Sequence, residues 1–186
     1  KTSIHAIISD ANGDIWVGCF GQGLYHLNRN LKVVRHYMKE LPCQFITSLA
    51  HDMSGNIWIG TDRAGLFSLN MANGRCKSAA IPDSNIQTIY CDYRNTLWVG
   101  TSRRGLFHYR FRENVVNHIS GASPVSANIY NVKSITPFGR YELVMGSEMG
   151  LVKVNTLTEQ MTMFNDGLSY DNLQDNSIFS IAKDHE

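Results

Sequence analysis

The stretch GNIWIGTDRAGLFSLN, residues 55–70, sets a tryptophan between two isoleucines, drops to glycine two residues later, and meets a second glycine followed by leucine and phenylalanine. Nearly the same wording stands at 13–28, GDIWVGCFGQGLYHLN, and at 95–110, NTLWVGTSRRGLFHYR. Aligned on Ile15-Trp16, Ile57-Trp58, Leu97-Trp98 and the degenerate Leu143-Val144, the units repeat at spacings of 42, 40 and 46 residues. That period belongs to repeat architectures. A pattern written three times over is scaffold before it is site.

Each unit holds four short segments. The first is rich in β-branched residues, as in Ile4-Ser9, Ile46-Asp52, Ile86-Cys91 and Val132-Thr136. Turn residues such as Asn12-Gly13 and Ser54-Gly55 follow, and lead into the Ile-Trp segment and then the Gly-Leu segment. The second and third segments carry apolar residues at consecutive positions, which a sheet tolerates when both its faces are covered. Four short strands per unit, stacked face to face, predict an all-β fold: a β-propeller fragment of about four four-stranded antiparallel blades plus the first strand of a fifth. The expected blades span about 4–38, 46–79, 86–120 and 132–165, with an orphan strand at 178–183, the whole of 1–186 being one partial propeller. Trp16, Trp58 and Trp98 are then structural core between neighbouring sheets. Gly18, Gly60, Gly100 and Gly146 end the tryptophan strand where a side chain would crowd or the chain must bend.

Composition sets the outer bounds. The chain has 186 residues, 43% hydrophobic and 18% charged, with a formal net charge of +1. This is enough apolar material for a sizeable core and no global field for nucleic acid. No apolar run approaches a membrane span, and the opening KTSIHAIISD has neither an initiator methionine nor a signal-peptide pattern. The chain is accordingly expected to be cut from a longer one. Cys19, Cys43, Cys76 and Cys91 form no CxxC pair, and with no metal or cofactor motif in view, none of either is expected.

The units NGDIWVGCFGQGLYHLN, GNIWIGTDRAGLFSLN and RNTLWVGTSRRGLFHYR resemble the two-component regulator propeller repeat, which runs roughly G-N-I-W-[VI]-G-T, a short loop, then G-L and an aromatic. The fourth unit, YELVMGSEMGLVKVN, follows it in part, with Val144 in place of Trp and Ser147 in place of Thr. The tail, NDGLSYDNLQDNSIFSIAKDHE, looks like the link and first strand before a further repeat. The resemblance implies the extracytoplasmic, periplasmic sensor of a hybrid two-component regulator, with about seven blades to a ring. An immunoglobulin-like module, a membrane span and a kinase would follow. It also implies glycan breakdown products as the ligand class. With only four units here, the remaining blades are implied partners, and open blade faces predict self-association in their absence.

Candidates for chemistry are sparse. His26 and His108 share a place on third strands with Ser68 and Lys153, which suggests a repeated surface or blade-contact position and not a convergent site, and the other histidines fall in unrelated places. GCFGQGL joins two strands, where a phosphate loop would open a helix. Asp10, Asp52 and Asp92 read as turn formers. The loops joining strands two and three emerge on the same side as the links between blades. They gather Phe20 and Gln22, Asp62 and Arg63, Ser102, Arg103 and Arg104, and Glu148 with Met149 on one face. Guanidinium groups pair with carboxylates and sulfates, and rings stack on sugars. Arg63, Arg103, Arg104, Phe20, Gln22 and Tyr130 are therefore the expected ligand-binding set, for an oligosaccharide or other small ligand, with no catalytic residue. Solvated loop arginines paired with Asp62 or Glu148 are the plainer alternative. A protein-interaction scaffold and a polysaccharide lyase, the latter drawing on Tyr130 or Tyr170, stay open beside the sensor.

Overall fold

A computed structural model describes residues 3–119, 129–163 and 177–184. Tyr170 lies outside them. Among the described residues every regular element is a strand, and these form four antiparallel sheets. The first blade is β1 (Ser3–Ser9), β2 (Ile15–Phe20), β3 (Gly23–Leu27) and β4 (Val33–Tyr37). The second is β5 (Ile46–His51), β6 (Asn56–Thr61), β7 (Leu66–Asn70) and β8 (Cys76–Ala79). The third is β9 (Ile86–Cys91), β10 (Leu97–Thr101), β11 (Leu106–Arg110) and β12 (Val115–His118). The fourth is β13 (Ser134–Pro137), β14 (Glu142–Ser147), β15 (Gly150–Asn155) and β16 (Met161–Met163). Strand order within each blade is sequence order, the meander of a propeller blade.

The consecutive apolar residues are explained by where each sheet face goes. Period-two alternation sends Trp58 and Gly60 to one face of β6, and Ile57 and Ile59 to the other. Trp58 packs with Ile86, Ile89 and Tyr109 of the third blade, whereas Ile57 and Ile59 pack with Trp16, Leu24 and Tyr37 of the first. The same handover puts Trp98 against Val132, Leu143 and Met145. Each tryptophan thus covers the next blade, and all three are buried.

The strand-ending glycines sit at the closest approach between blades. A Cβ on Gly18 would stand 2.6 Å from Cγ2 of Ile46, and one on Gly60 2.7 Å from Cγ2 of Ile86. Gly100 meets Val132 and Gly146 meets Ile178 in the same way. Ile178 therefore takes the register place of an inner-strand residue, and its N–H donates to the Ser147 carbonyl at 2.9 Å. Residues 177–184, which hold the expected orphan strand at 178–183, form no ladder of their own. A first strand is defined by its ladder with a second, and no second strand lies beside it among the described residues.

One device recurs that residue type alone did not reveal. Asp10, Asp52 and Asp92 do form the turn: Oδ1 of Asp52 accepts the N–H of Ser54 at 2.8 Å and of Asn56 at 2.9 Å. Their second oxygens reach inward. The indole N–H groups of Trp16, Trp58 and Trp98 each donate to Oδ2 of the aspartate six residues earlier, at 2.9 Å. A buried indole N–H needs a partner, and a carboxylate tied down by its own turn supplies it.

Candidate functional site

The loops between second and third strands are closed by a repeated hydroxyl. The side chains of Thr61 and Thr101 donate to the carbonyls of Gly65 and Gly105, at 2.7 and 2.9 Å. Gly105 has φ of +69°, and a Cβ there would lie 2.8 Å from the Ile129 carbonyl, so only glycine suits the place. This pins Ser102, Arg103 and Arg104 into a short, fixed arch. Its backbone is anchored further by the Arg103 N–H to Asp83 Oδ2 at 3.2 Å and the Arg104 N–H to Thr101 Oγ1 at 3.1 Å.

Beside the arch lies a cleft of about 430 Å³, lined among others by Arg103, Arg104, His118, Ile129, Tyr130 and Met161. Tyr130 is half exposed, and both arginines are exposed. Among the described residues neither guanidinium is paired with a carboxylate, whereas Arg63 lies 3.5 Å from its neighbour Asp62. His118 was not expected here. Its Nε2 donates to the Arg104 carbonyl at 2.8 Å, so the imidazole holds the arch while its ring lines the cleft. It is not an isolated residue: His36 stands twenty residues after Trp16 as His118 does after Trp98, and its ring bonds the Gln22 carbonyl at 2.7 Å in the same way. The two histidines share a place, which corrects the expectation that they fall in unrelated ones.

The expected ligand-binding set is therefore divided. Arg103, Arg104 and Tyr130 share the cleft. Phe20 and Arg63 line a different one, of about 360 Å³, between the first two blades, where Phe20 stacks on His5 and meets Phe45. Gln22 lines neither, and its carbonyl accepts from the His36 ring at 2.7 Å. Glu148 bonds Asn131 and lies 3.6 Å from Lys133, away from the arginines.

The third-strand histidines differ in the structure: His108 reaches Glu159 of the fourth blade at 3.5 Å, whereas His26 contacts residues of its own blade. His26 lies flat on Trp16, with ring centroids 4.2 Å apart, and its Nε2 is 2.8 Å from Asp14. Asp10, Asp14 and His26 bring ligand atoms within 4.8 Å of one another, yet Asp10 already serves the indole and two turn amides. Burial pushes the Asp10 carboxyl up, but the Trp16 indole and the backbone N–H groups outweigh it and hold the group below its ordinary value. The thiols are unpaired, and burial pushes that of Cys91 up to about 12, which keeps it protonated and inert.

Residues 1–21, 40–63 and 80–103 match the family model described as "Two component regulator propeller". A search of curated proteins gave no match. Among solved structures, the chain is similar to the extracellular domain of the hybrid two-component system BT3049 from B. thetaiotaomicron, with 21% identity and a TM-score of 0.81 over 97% of this chain and 24% of that one. It is also similar to the extracellular domain of BT4673 from the same organism, with 17% identity and a TM-score of 0.74 over 87% of this chain and 23% of that one. Streptogramin B lyase is matched at 18% identity and a TM-score of 0.68, over 86% and 53%. The chain spans about a quarter of the length of the two extracellular domains.

Proposed function

We propose that this chain, built from two-component regulator propeller repeats, is a non-catalytic segment of the periplasmic ligand-sensing propeller of a hybrid two-component sensor. It would respond to glycan breakdown products and signal across the membrane to a kinase. The reading is carried by the three family repeats, in phase with blades whose arrangement is that of extracellular domains of such systems. Fold does not fix function, so the chemistry must come from the site. Arg103 and Arg104 offer paired donors without an internal carboxylate, and Tyr130 offers a ring, which suits an acidic oligosaccharide. The remaining blades and an immunoglobulin-like module of the longer protein are the proposed partners. The half-open first blade, with Ile4 and Ile7 more than half exposed, is where another blade or a second copy would seat.

Calorimetric titration of oligogalacturonate and chondroitin oligosaccharides against the parent chain and the Arg103→Ala, Arg104→Ala double variant tests the reading. Loss of desolvated charge-assisted bonds at about 1.5–3 kcal/mol each predicts at least tenfold weaker binding. Equal affinity of parent and variant overturns it. A lyase is the second reading, favoured by His118 and Tyr130 lining the same cleft as Arg103, since a base and a charge neutraliser must converge. Release of ultraviolet-absorbing unsaturated product from the same oligosaccharides would establish it in place of sensing alone.

A further inference from the structure

The residue paired across the sheet from the tryptophan differs from blade to blade. His26 pairs with Trp16, Ser68 with Trp58 and His108 with Trp98. In the first blade His26 lies flat on the indole, as described above. In the third, His108 meets Trp98 edge-on, with centroids 5.5 Å apart, and is buried between Asn117 and Glu159. Ser68 has no ring to place there. Beside Trp58 the interface of the second and third blades opens into a cleft of about 410 Å³. It sits at the opposite end of β6 and β7 from the loop that bears Arg63.

The cleft is polar on one wall and aromatic on the other. Its amides are not loose: the Asn73 N–H donates to Asn70 Oδ1 at 3.2 Å, Asn70 Nδ2 to Asn56 Oδ1 at 3.2 Å, and Asn56 Nδ2 to the buried Asp52 Oδ2 at 2.9 Å. This chain fixes which end of each amide is the donor, and leaves Asn56 and Asn70 one further N–H each. Across from them stand the rings of Tyr109 and Phe111. Arg75 and Lys77 on and beside β8 close the outer edge, and among the described residues no carboxylate lies against either.

We infer that this cleft is a second binding site, distinct from the loop face, for a small sugar acid. Its volume admits a mono- or disaccharide. Arg75 and Lys77 pair with the carboxylate, the Asn56 and Asn70 amides and the Ser68 hydroxyl take ring hydroxyls, and the Phe111 and Tyr109 rings pack against the apolar C–H face. Positive charge alone would accept any anion; preset amide donors beside an aromatic wall select a polyhydroxylated one.

The inference does not depend on the proposed sensor role, and its test uses the intact chain with D-galacturonate and D-glucuronate as probes. Titration followed by ¹⁵N NMR should shift the side-chain amide signals of Asn56 and Asn70. The uncharged D-galactose should bind at least tenfold more weakly. Ser68→His copies the first blade's arrangement and should abolish binding by filling the cleft, without lowering the unfolding midpoint. Should that variant not fold, Arg75→Gln with Lys77→Gln alters exposed side chains only and should weaken binding about tenfold. Arg103→Ala with Arg104→Ala should leave it unchanged, which separates this site from the loop face. No shift of either amide with the sugar acids, or unaltered affinity in a folded Ser68→His or Arg75→Gln, Lys77→Gln protein, overturns the assignment.

Discussion

The first three blades and the fourth share a backbone plan but not the clamp that ties it together. Where blades one to three have aspartate and, six residues on, tryptophan, the fourth has Phe138 and Val144. One bond of the turn survives the change, the Phe138 N–H donating to the Glu142 carbonyl at 3.0 Å as Asp52 does to Asn56 at 3.0 Å. The turn between is different: the positive φ of Gly13, Gly55 and Asn95 has no counterpart at Tyr141, and the Gly139 N–H also reaches the Glu142 carbonyl, at 3.3 Å. The loop is also one residue shorter, with Ser147 Oγ donating to the Gly150 carbonyl at 3.1 Å. What disappears is the indole and its acceptor together. A buried carboxylate without its donor, or a buried indole N–H without its acceptor, would be left unsatisfied, so the two positions change as a unit. In their place is an apolar groove of about 580 Å³ between Val144, Phe138, Leu151 and the 181–184 segment. The ladder makes the sheet; the clamp makes the sheet cover its neighbour.

Truncating the covering residue should separate the two kinds of blade most. Trp98→Ala empties the seat between blades three and four, and large-to-small changes of this type cost about 3–5 kcal/mol. Val144→Ala removes two methyl groups beside an open groove, at roughly 1–2 kcal/mol. Urea unfolding of both variants checks the ordering, and equal losses would mean that the tryptophan is not what joins the blades. Next in size is the acceptor. Asp92→Asn preserves shape but loses the charge behind the indole bond and the turn, which should cost about 1.5–3 kcal/mol. A double-mutant cycle with Trp98→Phe should recover most of that as coupling. Phe138→Asn should be nearly silent, because Phe138 is half exposed and bonds through its backbone.

The architecture was legible in the sequence because it is written in residues whose physics is local. β-branched strands, Asn-Gly turns and the phase of Trp58 and Gly60 each name their place without help from the rest of the chain. The Asp-Trp pairing was also on the page as a sixfold offset repeated in Asp10, Asp52 and Asp92, but a turn alone was sufficient reason for those aspartates. Site geometry was less legible. Arg103, Arg104 and Tyr130 could be brought to one cleft by topology. His118 could have been found from its match with His36, each twenty residues after its blade's tryptophan, but that offset lies in a fourth strand whose other residues do not repeat. Phe20 with Arg63 parted from the set because adjacent blades splay their loops into separate clefts. The open seat beside Ser68 is an absence, visible only against His26 and His108 in place.

The third-strand position also separates the blades in their response to acid. Burial holds the His108 imidazole below its ordinary value, against the opposing pull of Glu159. The depressed value means that the unfolded chain takes up the proton more readily. Stability from this site is fully present above pH 6.5 and is lost as the pH falls through the lower folded value. The fourth blade carries Lys153 at this place, 3.1 Å from Glu142, and has no imidazole to titrate there. Unfolding midpoints of His108→Gln should therefore fall less steeply below pH 6.5 than those of the parent. Parallel profiles would assign the acid sensitivity elsewhere.

The smallest expected effect comes from restoring the clamp to the blade that lacks it. Phe138→Asp puts a carboxylate four residues before Glu142, whose carbonyl the Phe138 N–H already meets as the Asp52 N–H meets Asn56, but the turn must also take up the positive φ that Gly13, Gly55 and Asn95 supply in the other blades and that Tyr141 lacks. Val144→Trp projects an indole into the groove beside Ile181. Neither change alone has a full reason to help: the aspartate would gain only the turn, and the indole would lack its acceptor. Together they should reproduce the 2.9 Å bond of the other blades. The groove is open on one side, so the indole would cover less than its counterparts, and the gain should be about 0.5–1 kcal/mol, most of it as coupling between the two sites. Chemical unfolding of the two single variants and the double one measures it. Strict additivity would show that the aspartate and the tryptophan act separately, and that the three intact clamps owe their recurrence to turn and core as independent demands.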